Sequence, residues 1–474
     1  MNFTHYPAED VFDEMMDGQH HVRPSYAGFL EDIKKLSYKK LNQLQIATDR
    51  AQRLLGMTFN VYGQEEGVER ILKLDIFPRI IGREDWAFIE KGLQQRIYAL
   101  NIFIDDIYHD QKILKDKVLP AEMIYSSPSY LKECMDLKPP KNVWCHITGT
   151  DIVRNIDGNF YVLEDNLRCP SGVSYLLENR EILKRTFPEL FNKLGVRMVF
   201  DYPMKLRDML EYISPKPNPV IAVLTPGIYN SAYFEHSYLA LQMGVELVEG
   251  HDLIVEKNHL FMRTTRGLQQ VDVLYRRIDD IFLDPLCFNP DSMLGIPGIM
   301  DVYKKGNLGL ANAPGTGVAD DKAIYAYVPE IIKYYLGEVP ILNNVPTYIC
   351  EDKNDLKYVI ENIDQLVVKE TNSAGGYGML IGPKSTRKLI EEFKVKIKNN
   401  PRNYIAQPTL SLSTVPSIVE EGIAPRHVDL RPYILYGENV EVIPGALSRV
   451  ALKKGSLVVN SSQGGGSKDT WVLE

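Results

Sequence analysis

The hydrophobic period changes several times along the chain, and each change marks a different kind of element. Residues 30–55 place apolar side chains at roughly helical spacing and run into Gly56, which predicts a helix stopped by glycine. A second helical pattern spans Asp85 to about His109, with Trp86, Ile89, Leu93, Ile97, Leu100 and Ile104 near one face. That face reads as core. From Val220 the period shortens. IAVLTP (221–226) is a brief apolar run closed by proline and glycine, then NSAYFEHSYLALQMG reads as helix and VELVEG as strand. Strand, helix, strand is the unit of a parallel sheet. VDVLYRR (271–277) predicts a further strand, and the segment from Ala319 to Gly337 a helix with Asp320 or Asp321 as N-cap. LVVKE (366–370) predicts a strand, followed by a glycine loop, a returning strand at MLIG and a basic helix near 385–398. The last fifty residues alternate strands with turns.

Composition narrows the class without naming a chemistry. The 474 residues are 45% hydrophobic and 24% charged, which is ordinary for a globular protein of two or three domains. A net charge of −8 argues against nucleic-acid or membrane-surface binding, which needs a basic field. No run approaches the roughly 18 apolar residues of a spanning helix, and the acidic, mixed N-terminus does not resemble a secretory signal. Five scattered cysteines with no C-x-x-C pair, and no H-E-x-x-H among the histidines, argue against a disulfide framework or a zinc site and make a reducing cytoplasm the expectation. Walker A, G-x-S-x-G and G-x-G-x-x-G patterns are all missing.

Chemistry first becomes visible in WCHITGTDIVRNIDGNFYVLEDN (144–166). Two β-rich runs flank Asp157-Gly158, a strong hairpin signal. A two-residue loop there sets Asp151 opposite Glu164, with Asn166 projecting from the same face. Two carboxylates and an amide are hard oxygen donors suited to Mg2+. A directly opposed acid pair destabilises a hairpin, so a cation between them is expected; solvated acids in a slightly different register are the alternative. Beyond Asn166, Arg168 and Ser171 sit on a Pro-Ser-Gly turn suited to gripping an anion.

Two further stretches carry phosphate chemistry. In VVKETNSAGGYGMLIG (367–382), Lys369 ends a strand and Gly375, Gly376 and Gly378 form a loop whose backbone can approach phosphate oxygens. A plain glycine hairpin beside a solvated lysine is the alternative. In HVDLRPYILYGENVEVIPGALSRVALKKGSLVVNSSQGGGSKD (427–469), Arg431 and Arg449 fall on two strands joined through residues 436–439, offering forked donors for phosphate or carboxylate. Lys322 follows Asp320-Asp321 in the first turn of a helix, where a cation opposes the macrodipole and calls for an anionic partner.

Taken together, these stretches resemble the ATP-grasp ligases. Asp151…Glu164-x-Asn166 is similar to that family's metal hairpin, Lys369 with GGYG to its strand lysine and phosphate loop, and DLRPYIL…GALSRVA…NSSQGGG to the matching part of glutathione synthetase. The order along the chain is rotated, since the hairpin comes first instead of last. EDNLRCPSGVSYLLENR and VNSSQGGGSKDTWVL resemble the circularly permuted ATP-grasp family, commonly grouped with glutathionylspermidine synthase. The resemblance implies an α/β (α+β) architecture: a circularly permuted ATP-grasp fold with an inserted Rossmann-like domain and a helical N-terminal region. The expected divisions are 1–65 (helical), 66–200 (large lobe, metal half), 201–345 (Rossmann-like), 346–425 (small lobe with the glycine loop) and 426–474 (large lobe, arginine half).

It also implies roles. Asp151, Glu164 and Asn166 would hold one or two Mg2+ bridging ATP phosphates; Lys322, Lys369, Gly375, Gly376 and Gly378 would contact the phosphates; Gln407 would lie at the adenine hinge. Arg431 and Arg449 would be the catalytic cations, and Arg168 and Ser171 would touch substrate. Related ligases often carry an arginine two residues before the metal aspartate, where this chain has Gly149. The implied activity is a cytoplasmic ATP- and Mg2+-dependent ligase of small-molecule or peptide carboxylates and amines, acting through an acyl-phosphate, with neither nucleic acid nor membrane as partner. An ATP-binding module without ligase activity, and a phosphotransferase on another acceptor, are the other readings.

Overall fold

The computed structural model describes every residue except 1–5, 7–10, 62–67, 373–377, 421, 458 and 460–463. Its centre is a seven-stranded sheet assembled from both ends of the chain. In spatial order the strands are Asn343–Asn344, Phe160–Asn166, Ile147–Arg154, Arg431–Tyr436, Val440–Val450, Gly466–Val472 and Arg79–Ile81. The two halves join where Ile147–Arg154 pairs antiparallel with Arg431–Tyr436, Gly149 opposite Tyr433. A segment near residue 150 thus finds its neighbour more than 280 residues later. Rotated motif order and sheet order agree, as a permuted chain requires.

Behind this sheet runs the helix Arg83–Tyr108, and all six of its predicted core residues are fully buried. The helix also carries Arg96, buried on the same side. Arg96 Nε lies 2.9 and 3.0 Å from the two carboxylate oxygens of Asp165, Nη2 lies 2.7 Å from Oδ2, and Nη1 donates to Asn344 Oδ1 at 2.7 Å. Asp165 points away from Glu164 and Asn166 because successive strand residues alternate faces. The helix therefore clamps the hairpin from the rear and leaves the front free.

The parallel unit expected from residue 220 is present. Gly309–Ala311, Val273–Arg276, Ile221–Leu224 and Glu246–Val248 lie in that order, every pair parallel, with the helix Tyr233–Met243 as one crossover. Between its second and third strands the chain inserts an antiparallel meander, Leu253–Glu256, His259–Thr264 and Gly267–Val271, which the apolar pattern did not reveal. A small four-stranded sheet, Tyr348–Ile349, Tyr404–Pro408, Leu366–Glu370 and Leu380–Ile381, packs Val368 and Leu380 against Val359, Phe393 and Ile397 of its two helices, Lys353–Asn362 and Arg387–Asn399.

Two predicted helices are interrupted. The 30–55 pattern divides into Pro24–Ile33 and Tyr38–Leu54 because the Ser37 hydroxyl accepts from Lys40 N at 3.2 Å and caps a new start. The 319–337 pattern gives a single turn, Lys322–Tyr325, capped by Asp321, and then Val328–Leu336, with Gly337 in the left-handed conformation after it. Pro329 at the second helix's start suits a fresh first turn. Among the described residues no helix is long and apolar enough to cross a membrane.

The rear clamp yields a stability test. Arg96→Ala strands the Asp165 carboxylate in the interior, and removing one partner of a buried pair costs about 3–5 kcal/mol. Urea unfolding of the variant should show that loss with an unchanged m-value.

Candidate active site

The front of the seven-stranded sheet carries charge where most sheet faces carry apolar side chains. Asp151 pairs with Glu164, and Gly149 with Asn166, so all four project to one side. The opposition of Asp151 and Glu164 agrees with the hairpin expectation, but its cause differs. Arg154 pairs with Phe160, leaving a five-residue loop 155–159, and a bulge between Asp151 and Ile152 restores the register. The loop closes by Asn155 N donating to Asn159 O and Gly158 N to Asn155 O, with Gly158 at φ +78°.

Across the strand boundary, two arginines converge on Asp151. Arg431 grips it in bidentate fashion, Nε to Oδ1 at 2.5 Å and Nη2 to Oδ2 at 2.8 Å. Arg449 Nη2 reaches Oδ2 at 2.5 Å. Burial opposes the charge on Asp151, yet the two guanidinium groups outweigh it and hold the carboxyl below its usual range. Arg449 is itself fastened by Asp429, whose carboxylate accepts from Nε at 2.9 and 3.0 Å and also from Nη2. Asp429 was not singled out from sequence; its signal was the D-L-R spacing, which sets Asp429 and Arg431 on one face of an extended segment.

The remaining cations arrive from the other lobes. Lys322 Nζ lies 3.5 Å from Glu164 Oε2, the anionic partner expected for it, and Arg431 Nη2 lies 3.8 Å from Glu164 Oε1. Lys369, at the end of its strand, donates to Gln407 Oε1 at 2.8 Å, while Gln407 Nε2 donates to Thr347 Oγ1 at 3.0 Å. Gln407 thus orients the lysine. Burial pushes the Lys369 ammonium down to about 8, with Lys322 adding to the depression and Glu164 and Asp151 opposing it. Gly378 has φ +68°, and a Cβ there would meet the Glu370 carboxylate at 2.7 Å, so this position requires glycine. Gly375 and Gly376 lie outside the described residues.

The Pro-Ser-Gly turn differs from the anion grip expected of it. Arg168 is engaged by Asp320, Nε to Oδ2 at 2.8 Å, and Leu167 N donates to the same carboxylate at 2.5 Å. Ser171 uses its carbonyl, which accepts from Tyr433 Oη at 3.0 Å and Arg431 Nη1 at 3.5 Å. At Gly149 a Cβ would make ordinary contacts, 3.4 Å from Pro170 and 3.6 Å from the Arg431 stem.

Among the described residues no cluster of three or more His, Cys, Asp or Glu is gathered for a metal. Asp151, Glu164 and Asn166 nevertheless share one face. The buried Asn166 Nδ2 makes no hydrogen bond among the described groups, and the nearest cations to Glu164 stand at 3.5 and 3.8 Å. Glu164, with no cation nearer than 3.5 Å among the described residues, together with Asp151 and the Asn166 amide oxygen on the same face, is a hard oxygen set that fits Mg2+, which takes few protein ligands and completes its shell with water and phosphate.

A permuted sheet with a cation-ringed acid pair, a small flanking sheet and a parallel α/β unit is the arrangement of an ATP-grasp protein. The sequence profile described as "Circularly permuted ATP-grasp type 2" matches residues 78–451, and the chain belongs to that family. It is 55% identical over 477 residues to an uncharacterized protein of Synechocystis sp., covering 100% of this chain and 99% of the relative. A Mycobacterium tuberculosis protein is 48% identical, covering 99% and 86%. A Frankia casuarinae protein, provisionally named a glutamate–cysteine ligase, is 40% identical; the match covers 97% of this chain and 53% of that protein. A glutathione synthetase-like effector from Globodera pallida shares the fold at TM-score 0.58 and 11% identity, covering 92% of this chain and 98% of that one.

The depressed lysine has a signed consequence. Lys369 is protonated in both folded and unfolded states below about pH 8, where its burial penalty is fully present. As pH rises from there toward the ordinary lysine value of 10.5, the folded lysine loses its proton first and the penalty is relieved. Denaturant titrations across this window should show a stability increment that Lys369→Met abolishes.

Proposed function

We propose that this protein is an ATP- and Mg2+-dependent carboxylate–amine ligase that forms an amide or peptide-like bond through an acyl-phosphate. The observation that carries the reading is the convergence of Lys322, Arg431 and Arg449, from two distant segments, on the Asp151–Glu164 pair, with Lys369 of the small sheet held beside them by Gln407. So much positive charge around two acids suits a triphosphate bridged by a divalent ion. The relative named as a glutamate–cysteine ligase supports carboxylate and amine substrates, although this chain spans about half of that protein.

In this reading Asp151, Glu164 and Asn166 hold Mg2+, which when bound neutralises charge on the phosphate oxygens. Lys322 and Lys369 bind the phosphates, Gly378 with Gly375 and Gly376 covers them, and Gln407 sets the direction of Lys369. Arg431 and Arg449, held in place by Asp151, Ser171 and Asp429, stabilise the transferring phosphoryl group as its charge spreads over the equatorial oxygens. The substrate carboxylate attacks the γ-phosphorus to give acyl-phosphate and ADP; the amine then attacks the acyl carbon, and phosphate leaves. Asp429 keeps Arg449 aimed throughout. Residues 66–200 and 426–474 form the large lobe in this assignment, 346–425 the lid and 201–345 the Rossmann-like domain, after an N-terminal helical region of 1–65. Five free cysteines suit a reducing cytoplasm.

Calorimetry should detect ATP binding that depends on Mg2+. Mass spectrometry of a carboxylate-by-amine library incubated with ATP should reveal an amide and equimolar ADP and phosphate. Glu164→Gln should remain folded and lose roughly 10²–10³-fold in turnover, the scale of one lost electrostatic contact at a transition state. Wild-type protein that binds no ATP with Mg2+ would overturn the assignment, and a stable phosphorylated product without amide would replace it with a phosphotransferase.

A further inference from the structure

Glu235 and Arg277 lie outside the charged sheet face, in the parallel unit, yet both reach the segment that follows the acid hairpin. We infer that they are positioning residues for the phosphoryl-transfer centre. They fasten residues 170–174 so that the Ser171 carbonyl holds Arg431 in its orientation. The inference rests on the ligase reading and adds to it a mechanical link between the parallel unit and the catalytic arginine.

The contacts are specific and leave the segment little freedom. Glu235 is completely buried; its Oε2 accepts from Gly172 N at 2.7 Å, Ser174 N at 3.1 Å and Ser174 Oγ at 3.0 Å. Its Oε1 accepts from Arg277 Nη2 at 2.7 Å. Arg277 Nη1 in turn donates to Pro170 O at 2.5 Å and to Tyr275 Oη at 3.0 Å. The flanks of the segment are therefore held by the parallel unit, and its centre by the catalytic sheet through Tyr433 and Arg431 at Ser171 O. Gly172, at φ +113°, has no room for a side chain, since a Cβ would stand 2.4 Å from Tyr433 Oη.

Position in the fold gives this latch a use. The Glu235 carboxylate, carried by the helix Tyr233–Met243, meets the N-terminus of the helix Val173–Thr186, where free amides and the macrodipole favour an anion. Arg277 directly follows the strand Val273–Arg276, and Thr225 directly follows Ile221–Leu224. These neighbouring strands flank the point where strand order reverses, the edge at which open α/β sheets receive ligands. A substrate seated there lies beside Arg277, and Arg277 donates to the Pro170 carbonyl, one residue before the Ser171 carbonyl that accepts from Arg431. A buried ion pair is also a poor device for stability alone, because apolar replacements of similar volume often do as well.

The test is a double-mutant cycle read as turnover per folded enzyme, using ADP release from ATP–Mg2+ with the carboxylate and amine pool. Arg277→Lys should lower kcat roughly tenfold, in keeping with small displacements remote from the chemistry, while KM for ATP stays the same. Tyr433→Phe removes one hydroxyl from the latch and should lower kcat to a smaller degree; it carries the test alone if Arg277→Lys does not fold. In an Arg431→Lys background both effects should shrink, because the residue they act through is already altered. Unchanged kcat in the folded variants, or losses that simply multiply with that of Arg431→Lys, would overturn the inference while leaving the ligase reading intact. A wild type that releases no ADP with any pool member would overturn the ligase reading and the inference with it.

Discussion

The arrangement depends on one buried carboxylate held by two arginines. Asp151 stands on a strand from the first third of the chain; Arg431 and Arg449 stand on strands from its last tenth. Their ion pairs tie the two halves of the seven-stranded sheet across its front, at the boundary where permutation has separated neighbours in sequence. Desolvating such a group is expensive, and only two guanidinium groups in close register repay it. The charges therefore specify strand order as well as chemistry, since a slip of one residue would turn Asp151 to the rear face.

The same cluster has a loose side and a tight side. Arg449 is fixed by Asp429, and Arg431 is fixed by Asp151 and Ser171, so these cations are preorganised. Glu164 has only distant partners, and Asn166 leaves its amide nitrogen unbonded. Preorganised cations beside a loosely partnered carboxylate are what a phosphate–metal complex needs, because the fixed charges cost little reorganisation when it arrives. The rear clamp of Arg96 on Asp165 serves the same end by holding rigid the strand that carries the loose donors.

Much of this was legible from residues alone where local rules govern. The long helix 83–108, the parallel unit after residue 220 and the strands bearing Lys369, Arg431 and Arg449 follow from period and turn chemistry. The opposition of Asp151 and Glu164 was also legible, though for an incomplete reason. Sequence showed a DG turn, but not that a five-residue loop would shift the register and a bulge shift it back. The breaks at Ser37 and around residue 326 were missed because local capping competed with a continuous apolar pattern. Gln407 was read as a hinge residue; its side-chain contact with Lys369 depends on two strands pairing, which no periodicity reports.

By itself, then, the sequence determined which elements form and which residue types could do phosphate chemistry, because period, caps and hard-ligand spacing act within a few residues. Only the tertiary structure decided which charges satisfy one another. Arg168 went to Asp320, the Gly172 and Ser174 amides to Glu235, and Asp151 to Arg431. Those choices join groups up to 280 positions apart, and they are settled by which buried charge finds a partner close enough to offset its loss of water.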